Sequence, residues 1–188
     1  MRLVVALTGA SGIYLGVRFL EVLKEHKVET YLLLSRQAED LIWEETGISP
    51  EKVRELADFA YNEGDWKAPV ASGSFLHQGM VVIPCSMKTL AGIAQGYAEN
   101  LILRAADVTL KERRPLILVP RETPLSALHL ENMLKLARLG VIIAPPVPAF
   151  YHRPRSIEEM VDFFLGRILN LLGIPNRLNR PWPHSSGL

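Results

Sequence analysis

Small, hydroxyl-bearing or charged residues follow four hydrophobic segments of this sequence. In chain order they are Gly9-Ala10-Ser11, Ser35, Ser86 with Thr89, and Arg121 with Glu122. Hydroxyl groups beside small residues can bind a phosphate oxygen or the edge of a flavin ring without crowding it. The alternative is that each serine or threonine only caps the helix behind it. Because four segment ends share the pattern, together they favour a ligand site.

The turn after the first segment has two interpretations. A short apolar segment, a turn of small residues and an amphipathic helix would direct free N–H groups at one point, which suits a phosphate. The same residues also make a plain connection between a strand and a helix. Gly9, Gly12 and Gly16 do not form the G-x-G-x-x-G fingerprint, and no Walker lysine follows Gly12. An NAD-dependent oxidoreductase is therefore disfavoured.

Several cations lie where the pattern is apolar. Arg104 interrupts an apolar helix, and a buried arginine needs an anionic partner: Asp107 three residues on, or a ligand phosphate. Arg167 has apolar residues at −7, −3 and +4, which predicts that it faces a site or an interface. By pattern alone, 111–114 (Lys-Glu-Arg-Arg) is a solvated helix end.

Two aromatic residues lie in candidate binding loops. Tyr151 follows three prolines in a stiff segment, and Trp66 stands near Pro69 in a long irregular stretch. Glu45, near a helix end, is by pattern a surface charge. The five histidines show no metal-ligand spacing, and the acidic residues form no compact cluster, so no metal site is expected.

The hydrophobic periodicity predicts strands alternating with helices. Strands are expected at 3–7, 28–34, 80–83, 115–119 and 141–144, and helices at 13–25, 36–46, 90–95 and 100–110. Ser49 and Thr123 are expected to cap two further helices, and Ser156 with Glu159 forms a capping box for the last. Residues 59–79 have no clear periodicity. The pattern predicts a three-layer α/β domain with a mainly parallel sheet and a ligand at the carboxyl ends of its strands.

The composition limits the classes of protein to which the chain can belong. The chain has 188 residues, 48% hydrophobic and 22% charged, with a net charge of +1. This is ordinary for one globular domain and gives no sign of a nucleic-acid surface. Cys85 is the single cysteine, and no apolar run approaches the ~18 residues of a membrane span. We expect one domain over 1–175, a loose arm over 176–188, no membrane partner and a cytoplasmic location.

Ordered motifs along the chain resemble the flavin prenyltransferase (UbiX-like) family. They comprise 9–12 (Gly-Ala-Ser-Gly), Trp66 with 71–74 (Ala-Ser-Gly-Ser), 84–89 (Pro-Cys-Ser-x-x-Thr), 106–116, 119–122 (Val-Pro-Arg-Glu) and 150–152 (Phe-Tyr-His). The resemblance runs from about residue 3 to 175. One departure is Tyr14, which stands one step earlier than in the commoner pattern.

The resemblance implies a Rossmann-like (flavodoxin-like) fold and a reaction. A dimethylallyl group would pass from dimethylallyl phosphate to N5 and C6 of reduced FMN, without a metal. The product, prenylated FMN, would serve a UbiD-type decarboxylase as cofactor. Assembly as a homo-oligomer is implied, based on trimers and reaching a dodecamer.

The resemblance also assigns residues. FMN contacts fall on Gly9, Ala10, Ser11, Ser35, Ser86, Met87, Lys88, Thr89 and Arg121. Contacts with dimethylallyl phosphate fall on Arg104, Lys111, Tyr151 and Arg167. The catalytic candidates are Lys111 and Glu122, with Glu45 as a second proton carrier and Trp66 as a π face for an allylic cation. These roles override the solvated interpretation of Lys111 but not that of Arg113 or Arg114.

Two alternatives remain open. A flavin-dependent decarboxylase of peptidyl or pantothenoyl cysteine would share the fold, but 69–74 (Pro-Val-Ala-Ser-Gly-Ser) does not match its usual Pro-Ala-Ser-Ala-Asn-Thr-like segment. A non-catalytic FMN carrier would not need Arg104, Lys111, Tyr151 and Arg167 together. The choice between a monophosphate and a pyrophosphate donor is also open.

Overall fold

Six parallel strands form one sheet in the described part of the chain. The structure, a computed structural model, describes residues 1–179. The strands are β1 (Arg2–Leu7), β2 (Glu29–Leu34), β3 (Phe59–Asn62), β4 (Met80–Cys85), β5 (Leu116–Pro120) and β6 (Ile142–Ile143). Their order is β3-β2-β1-β4-β5-β6, and each pairing is parallel. The predicted α/β fold with a parallel sheet is confirmed.

Helices lie between most successive strands, and one more follows β6. They are α1 (Ile13–Glu25), α2 (Arg36–Thr46), α3 (Pro50–Arg54), α4 (Met87–Gln95), α5 (Leu101–Lys111), α6 (Ala127–Arg138) and α7 (Ile157–Leu171). The side chains of β1 from Leu3 to Leu7 alternate between the two sheet faces, yet all are fully buried. Both faces of the sheet are therefore covered, which makes three layers.

Close packing of α1 on the sheet depends on one glycine. A Cβ at Gly16 would lie 2.4 Å from the carbonyl oxygen of Ile83 and 2.9 Å from Cγ of Leu7. The missing side chain lets α1 approach the ends of β1 and β4. The first turn, which leads into α1, is held close to that edge of the sheet as a result.

Three local predictions are corrected. Strand β3 lies inside the stretch predicted to be irregular, and its four residues are half-exposed, so they show no apolar run. Helix α6 is capped by Ser126, which exchanges hydrogen bonds with His129, and not by Thr123. At α7, Ser156 accepts from the N–H of Glu159, but the Glu159 carboxylate accepts from Arg155 instead of closing the capping box.

The described chain divides into two compact units. The first spans Met1–Pro145 and holds the whole sheet, and the second begins at Pro146 and holds α7. The prediction of a single domain over 1–175 stays a prediction. Most of the predicted arm, from residue 180 onward, lies outside the described residues. Within residues 1–179, no helix is long and apolar enough to cross a membrane.

Candidate active site

The carboxyl ends of β1 and β4 are tied together by one buried threonine. The Thr8 hydroxyl donates to the carbonyl oxygen of Pro84 at 2.8 Å and accepts from the N–H of Ser86 at 2.7 Å. Thr8 was not singled out as a site residue from the sequence. Its position directly before the glycine turn is the signal that could have identified it, because a polar side chain at a buried strand end needs a partner.

Arg121 joins the end of β5 to the same place. Its Nε donates to the carbonyl oxygen of Ser11 at 3.0 Å, although the two residues are 110 positions apart in sequence. Cγ of Arg121 also lies 3.9 Å from where a Cβ on Gly12 would be. The turn after β1, Ser86 after β4 and Arg121 after β5 are thus brought to one edge of the sheet.

The serines at this edge cap helices. The Ser35 hydroxyl accepts from the N–H of Ala38 at 3.1 Å and begins α2. The Ser86 hydroxyl accepts from the N–H of Thr89 and donates to its Oγ1 at 3.0 Å, at the start of α4. Capping accounts for both serines structurally, and their predicted FMN contacts stay a prediction.

The N-terminus of α1 is occupied by a carboxylate of the protein. Glu45 of α2 accepts from the N–H of Gly12 at 2.9 Å and from that of Ile13 at 2.8 Å. These are two of the free donors on which a phosphate at this turn would depend. These two donors are thus used within the protein, and the predicted ligand contacts of 9–11 stay a prediction. Glu45 is half-buried, so its description as a surface charge is wrong.

The edge of the sheet at which β1, β4 and β5 end is named here the strand-end edge. Its chemistry fits a flavin mononucleotide. Ser11, Lys88 and Arg121 are exposed there and carry hydroxyl, ammonium and guanidinium groups. Gly9 lets α2 come close to the turn, since a Cβ there would clash with Cβ of Gln37. Met87 is half-buried beside Lys88. Donors of this kind suit one phosphate and the carbonyl oxygens of a flavin ring.

Arg104 is held by both a carboxylate and a backbone carbonyl. Its Nη1 donates to Asp107 at 2.7 Å, and its Nε donates to the carbonyl oxygen of Ala71 at 3.1 Å. The side chain is 35% exposed, so the expectation of a buried arginine is only partly right. Asp107, the local partner that the spacing allowed, pairs with it.

Lys111 also has an acidic partner, the adjacent Glu112. Its Nζ lies 2.6 Å from Oε1 of Glu112. The hydrogen bond and positive charge of Lys111 lower the pKa of the Glu112 carboxyl below its usual value. The pair lies over Gly73, where a Cβ would be 2.4 Å from Oε1 of Glu112 and 2.8 Å from Nζ of Lys111. No role for Glu112 was predicted from the sequence.

Arg114 donates two hydrogen bonds to the loop that contains Gly73. Its Nη1 donates to the carbonyl oxygen of Phe75 at 2.7 Å and its Nη2 to that of Gly73 at 2.9 Å. Arg114 is half-buried, so its predicted place on a solvated helix end is wrong. We name segment 71–76 the Ser-Gly loop, after its Ala-Ser-Gly-Ser sequence. Arg104 of α5 and Arg114, which follows α5, both donate hydrogen bonds to backbone carbonyls of this loop.

The side chains of Trp66 and Glu122 are open to solvent within the first unit. Trp66 is 50% exposed and lines a cleft of 520 Å³ with Tyr61, Lys67 and Pro69. Glu122 is exposed at the end of β5, and its Oε1 accepts from the N–H of Thr123 at 3.0 Å. Both are accessible to a small ligand, as a catalytic role would require.

Tyr151 and Arg167 belong to the second unit. The Tyr151 ring meets Phe163 edge-on at a centroid distance of 5.5 Å, and Arg167 is exposed on α7. Their predicted meeting with Arg104 and Lys111 stays a prediction. In the described part of the chain, no group of three or more His, Cys, Asp and Glu could hold a metal ion.

Comparison with known proteins identifies the family. A protein-family model described as Flavoprotein matches residues 1–169. The chain is 48% identical to the flavin prenyltransferase UbiX of Methanocaldococcus jannaschii, over 97% of this chain and 98% of that protein.

Two solved structures share the fold closely. One is a dodecameric FMN-dependent UbiX-like decarboxylase from Escherichia coli O157:H7, with a TM-score of 0.96, 51% identity, and coverage of 98% of this chain and 100% of that one. The other is AnUbiX (PadA1) in complex with FMN and dimethylallyl pyrophosphate, with a TM-score of 0.95, 51% identity and 97% coverage of each chain. By near full-length identity and fold, this chain belongs to the UbiX-like flavin prenyltransferase family of flavoproteins.

Proposed function

We propose that this protein transfers a dimethylallyl group from dimethylallyl phosphate to reduced FMN. The donor's C–O bond breaks as phosphate leaves, and reduced FMN supplies N5 and C6, at which the new bonds form. The product, prenylated FMN, serves as cofactor for a UbiD-type decarboxylase. The observation that carries this proposal is the 48% identity to a flavin prenyltransferase along almost the whole chain.

The strand-end edge is proposed to bind FMN. Arg121 donates to Ser11 through Nε, which fixes the guanidinium beside the first turn while the residue stays exposed. A planar guanidinium held in this way is suited to phosphate or to flavin carbonyl oxygens. Ser35, Ser86, Met87, Lys88 and Thr89 complete the proposed contacts.

The Ser-Gly loop and α5 are proposed to bind the departing phosphate. Arg104 and Lys111 both lie against this loop, through Ala71 and Gly73 respectively. Preorganised cations stabilise the charge that grows on a leaving phosphate more than they stabilise the intact ester. Tyr151 and Arg167 of the second unit are proposed to add a hydroxyl and a further cation.

Three side chains are proposed to act on the transferred group and its protons. Glu122 is exposed beside Arg121 and can exchange a proton with the leaving phosphate or take one as the ring closes. Glu45 already accepts two hydrogen bonds from the first turn, so its proposed proton role is local to that turn. Trp66 offers its π face to positive charge on the allyl group.

The proposed assembly follows a relative, and the proposed location follows from the composition. The Escherichia coli structure is dodecameric, and we propose a homo-oligomer for this chain as well. A cytoplasmic location is proposed from the ordinary composition and the near-neutral net charge. Neither a nucleic acid nor a membrane is proposed as a partner.

The activity is tested under anaerobic conditions with reduced FMN and dimethylallyl phosphate. We expect FMN to gain one isoprenyl unit, detected by mass spectrometry of the extracted flavin. Protein with Lys111→Ala provides a matched reaction in which the gain should fall. Unmodified FMN in a sample where both ligands are bound would contradict the proposal.

A parallel sample with oxidised FMN separates the second candidate, because oxidative decarboxylation of a cysteine needs the flavin as electron acceptor. Because the Escherichia coli relative is described as a decarboxylase, the protein should also be offered a peptide ending in cysteine. We expect no loss of carbon dioxide from that peptide. Its decarboxylation, with FMN left unmodified, would identify the chain as a cysteine decarboxylase instead.

A further inference from the structure

The cations around the Ser-Gly loop are already paired within the protein. Arg114 gives Nη1 and Nη2 to two loop carbonyls, Arg104 divides its donors between Ala71 and Asp107, and Lys111 pairs with an acid. Three positive charges therefore stand beside two carboxylates, those of Asp107 and Glu112. An arriving phosphate meets far less net charge than the count of cations implies.

Glu112 is the acid that pairs directly with Lys111. Its Oε1 lies 2.6 Å from Nζ of Lys111, and both atoms lie over the bare Cα of Gly73. Any side chain at position 73 would displace the carboxylate or the ammonium. The bare Cα of Gly73 leaves room for the paired carboxylate and ammonium in the positions that they occupy.

We propose that Glu112 is a specificity-determining residue that favours a monophosphate over a pyrophosphate donor. This inference rests on the proposed function, because it takes Lys111 to bind the donor's phosphate. The Glu112 carboxylate leaves Lys111 able to bind an anion but reduces the negative charge that this part of the site accepts.

The discrimination follows from charge. A pyrophosphate ester carries about one unit of negative charge more than a monophosphate ester at neutral pH. Glu112 repels both anions and repels the more highly charged one more strongly. Substitution by glutamine keeps the shape and the hydrogen-bonding oxygen but removes the charge. The affinity for the pyrophosphate should therefore rise more than that for the monophosphate.

The ratio of two dissociation constants tests this proposal. Binding of dimethylallyl phosphate and dimethylallyl pyrophosphate to FMN-loaded protein is measured by calorimetry, without added divalent cations. In Glu112→Gln we expect the ratio to shift by about threefold to tenfold toward the pyrophosphate, as one partly screened charge would give. Glu112→Asp, which keeps the charge, should shift it less.

Matched measurements make the result decisive. Glu131→Gln removes an exposed carboxylate from α6 and should leave the ratio unchanged. An unchanged ratio in Glu112→Gln, or an equal loss of both affinities, would overturn the inference and leave Glu112 as a support for Lys111. If the unsubstituted protein binds neither ester, the proposed function itself fails.

Discussion

At the scale of single residues, Lys111 and Glu122 are expected to act on group transfer and not on FMN binding. Lys111→Ala removes a cation from the proposed phosphate site and should slow transfer about tenfold or more. Glu122→Gln removes a proton carrier and should slow it about a hundredfold or more. Single-turnover formation of prenylated FMN measures both effects, with FMN affinity followed by fluorescence.

The controls for these variants are exposed residues of the same type. Lys52→Ala changes the net charge as Lys111→Ala does, and Glu131→Gln changes it as Glu122→Gln does. Both control residues lie away from the proposed site, on α3 and α6. Both should transfer the group at the unsubstituted rate. Full turnover in Lys111→Ala or in Glu122→Gln would remove that residue from the proposed mechanism.

Arg104 illustrates how far one sequence can locate a site residue. Helical spacing brings residues three apart onto one face, so Asp107 was a foreseeable partner. The carbonyl oxygen of Ala71, 33 residues earlier, was not foreseeable, because no local rule places a loop against a distant helix. The pairing of Lys111 with Glu112 was missed for a different reason. Adjacent helical residues do not normally face each other, but these two lie at the end of α5.

At the scale of elements, the approach of α1 to the sheet is expected to depend on Gly16. An alanine there would bring its Cβ within 2.4 Å of the carbonyl oxygen of Ile83. The helix would have to move away from β1 and β4, which should lower the free energy of unfolding by about 1–3 kcal/mol despite alanine's higher helix propensity. Urea denaturation measures this loss.

Gly64 provides the comparison for Gly16. A Cβ added at Gly64 would meet open space among the described residues, and the backbone there has no positive φ. Gly64→Ala should therefore change the free energy of unfolding by less than about 0.5 kcal/mol. Equal stability of the two variants would mean that α1 does not pack as closely as the distances indicate. Loss of FMN affinity in Gly16→Ala would further indicate that the first turn moves with α1.

The elements themselves were predictable where burial imposes a pattern. Strands β1, β2, β4 and β5 are almost wholly buried, so their apolar runs stand out. Edge strand β3 has solvent on part of its surface and was hidden in the irregular stretch. The start of α6 was misplaced because Thr123-Pro124 and Ser126 are both acceptable helix beginnings, and only tertiary structure selects between them.

At the scale of the whole molecule, the residues proposed to bind the donor's phosphate are divided between the two compact units. Arg104, Lys111 and the Ser-Gly loop belong to the first unit, and Tyr151 and Arg167 to the second. FMN, in contrast, is assigned only to residues of the first unit. The two ligands should therefore depend differently on the second unit, within one chain or between copies in an oligomer.

Substitutions in the second unit test this dependence. Tyr151→Phe keeps the ring that packs on Phe163 but removes the hydroxyl, and Arg167→Ala removes an exposed cation from α7. Each should weaken dimethylallyl phosphate binding about fivefold to a hundredfold, as expected for a charge-assisted hydrogen bond, while FMN affinity stays unchanged. Arg155→Ala, which removes another exposed cation of the same unit, should alter neither affinity. If the affinity for FMN falls together with the affinity for dimethylallyl phosphate, these residues stabilise the fold and do not act on the phosphate alone. If neither affinity changes, both residues are excluded from the site. The phosphate must then be held by Arg104 and Lys111 of α5, beside the Ser-Gly loop.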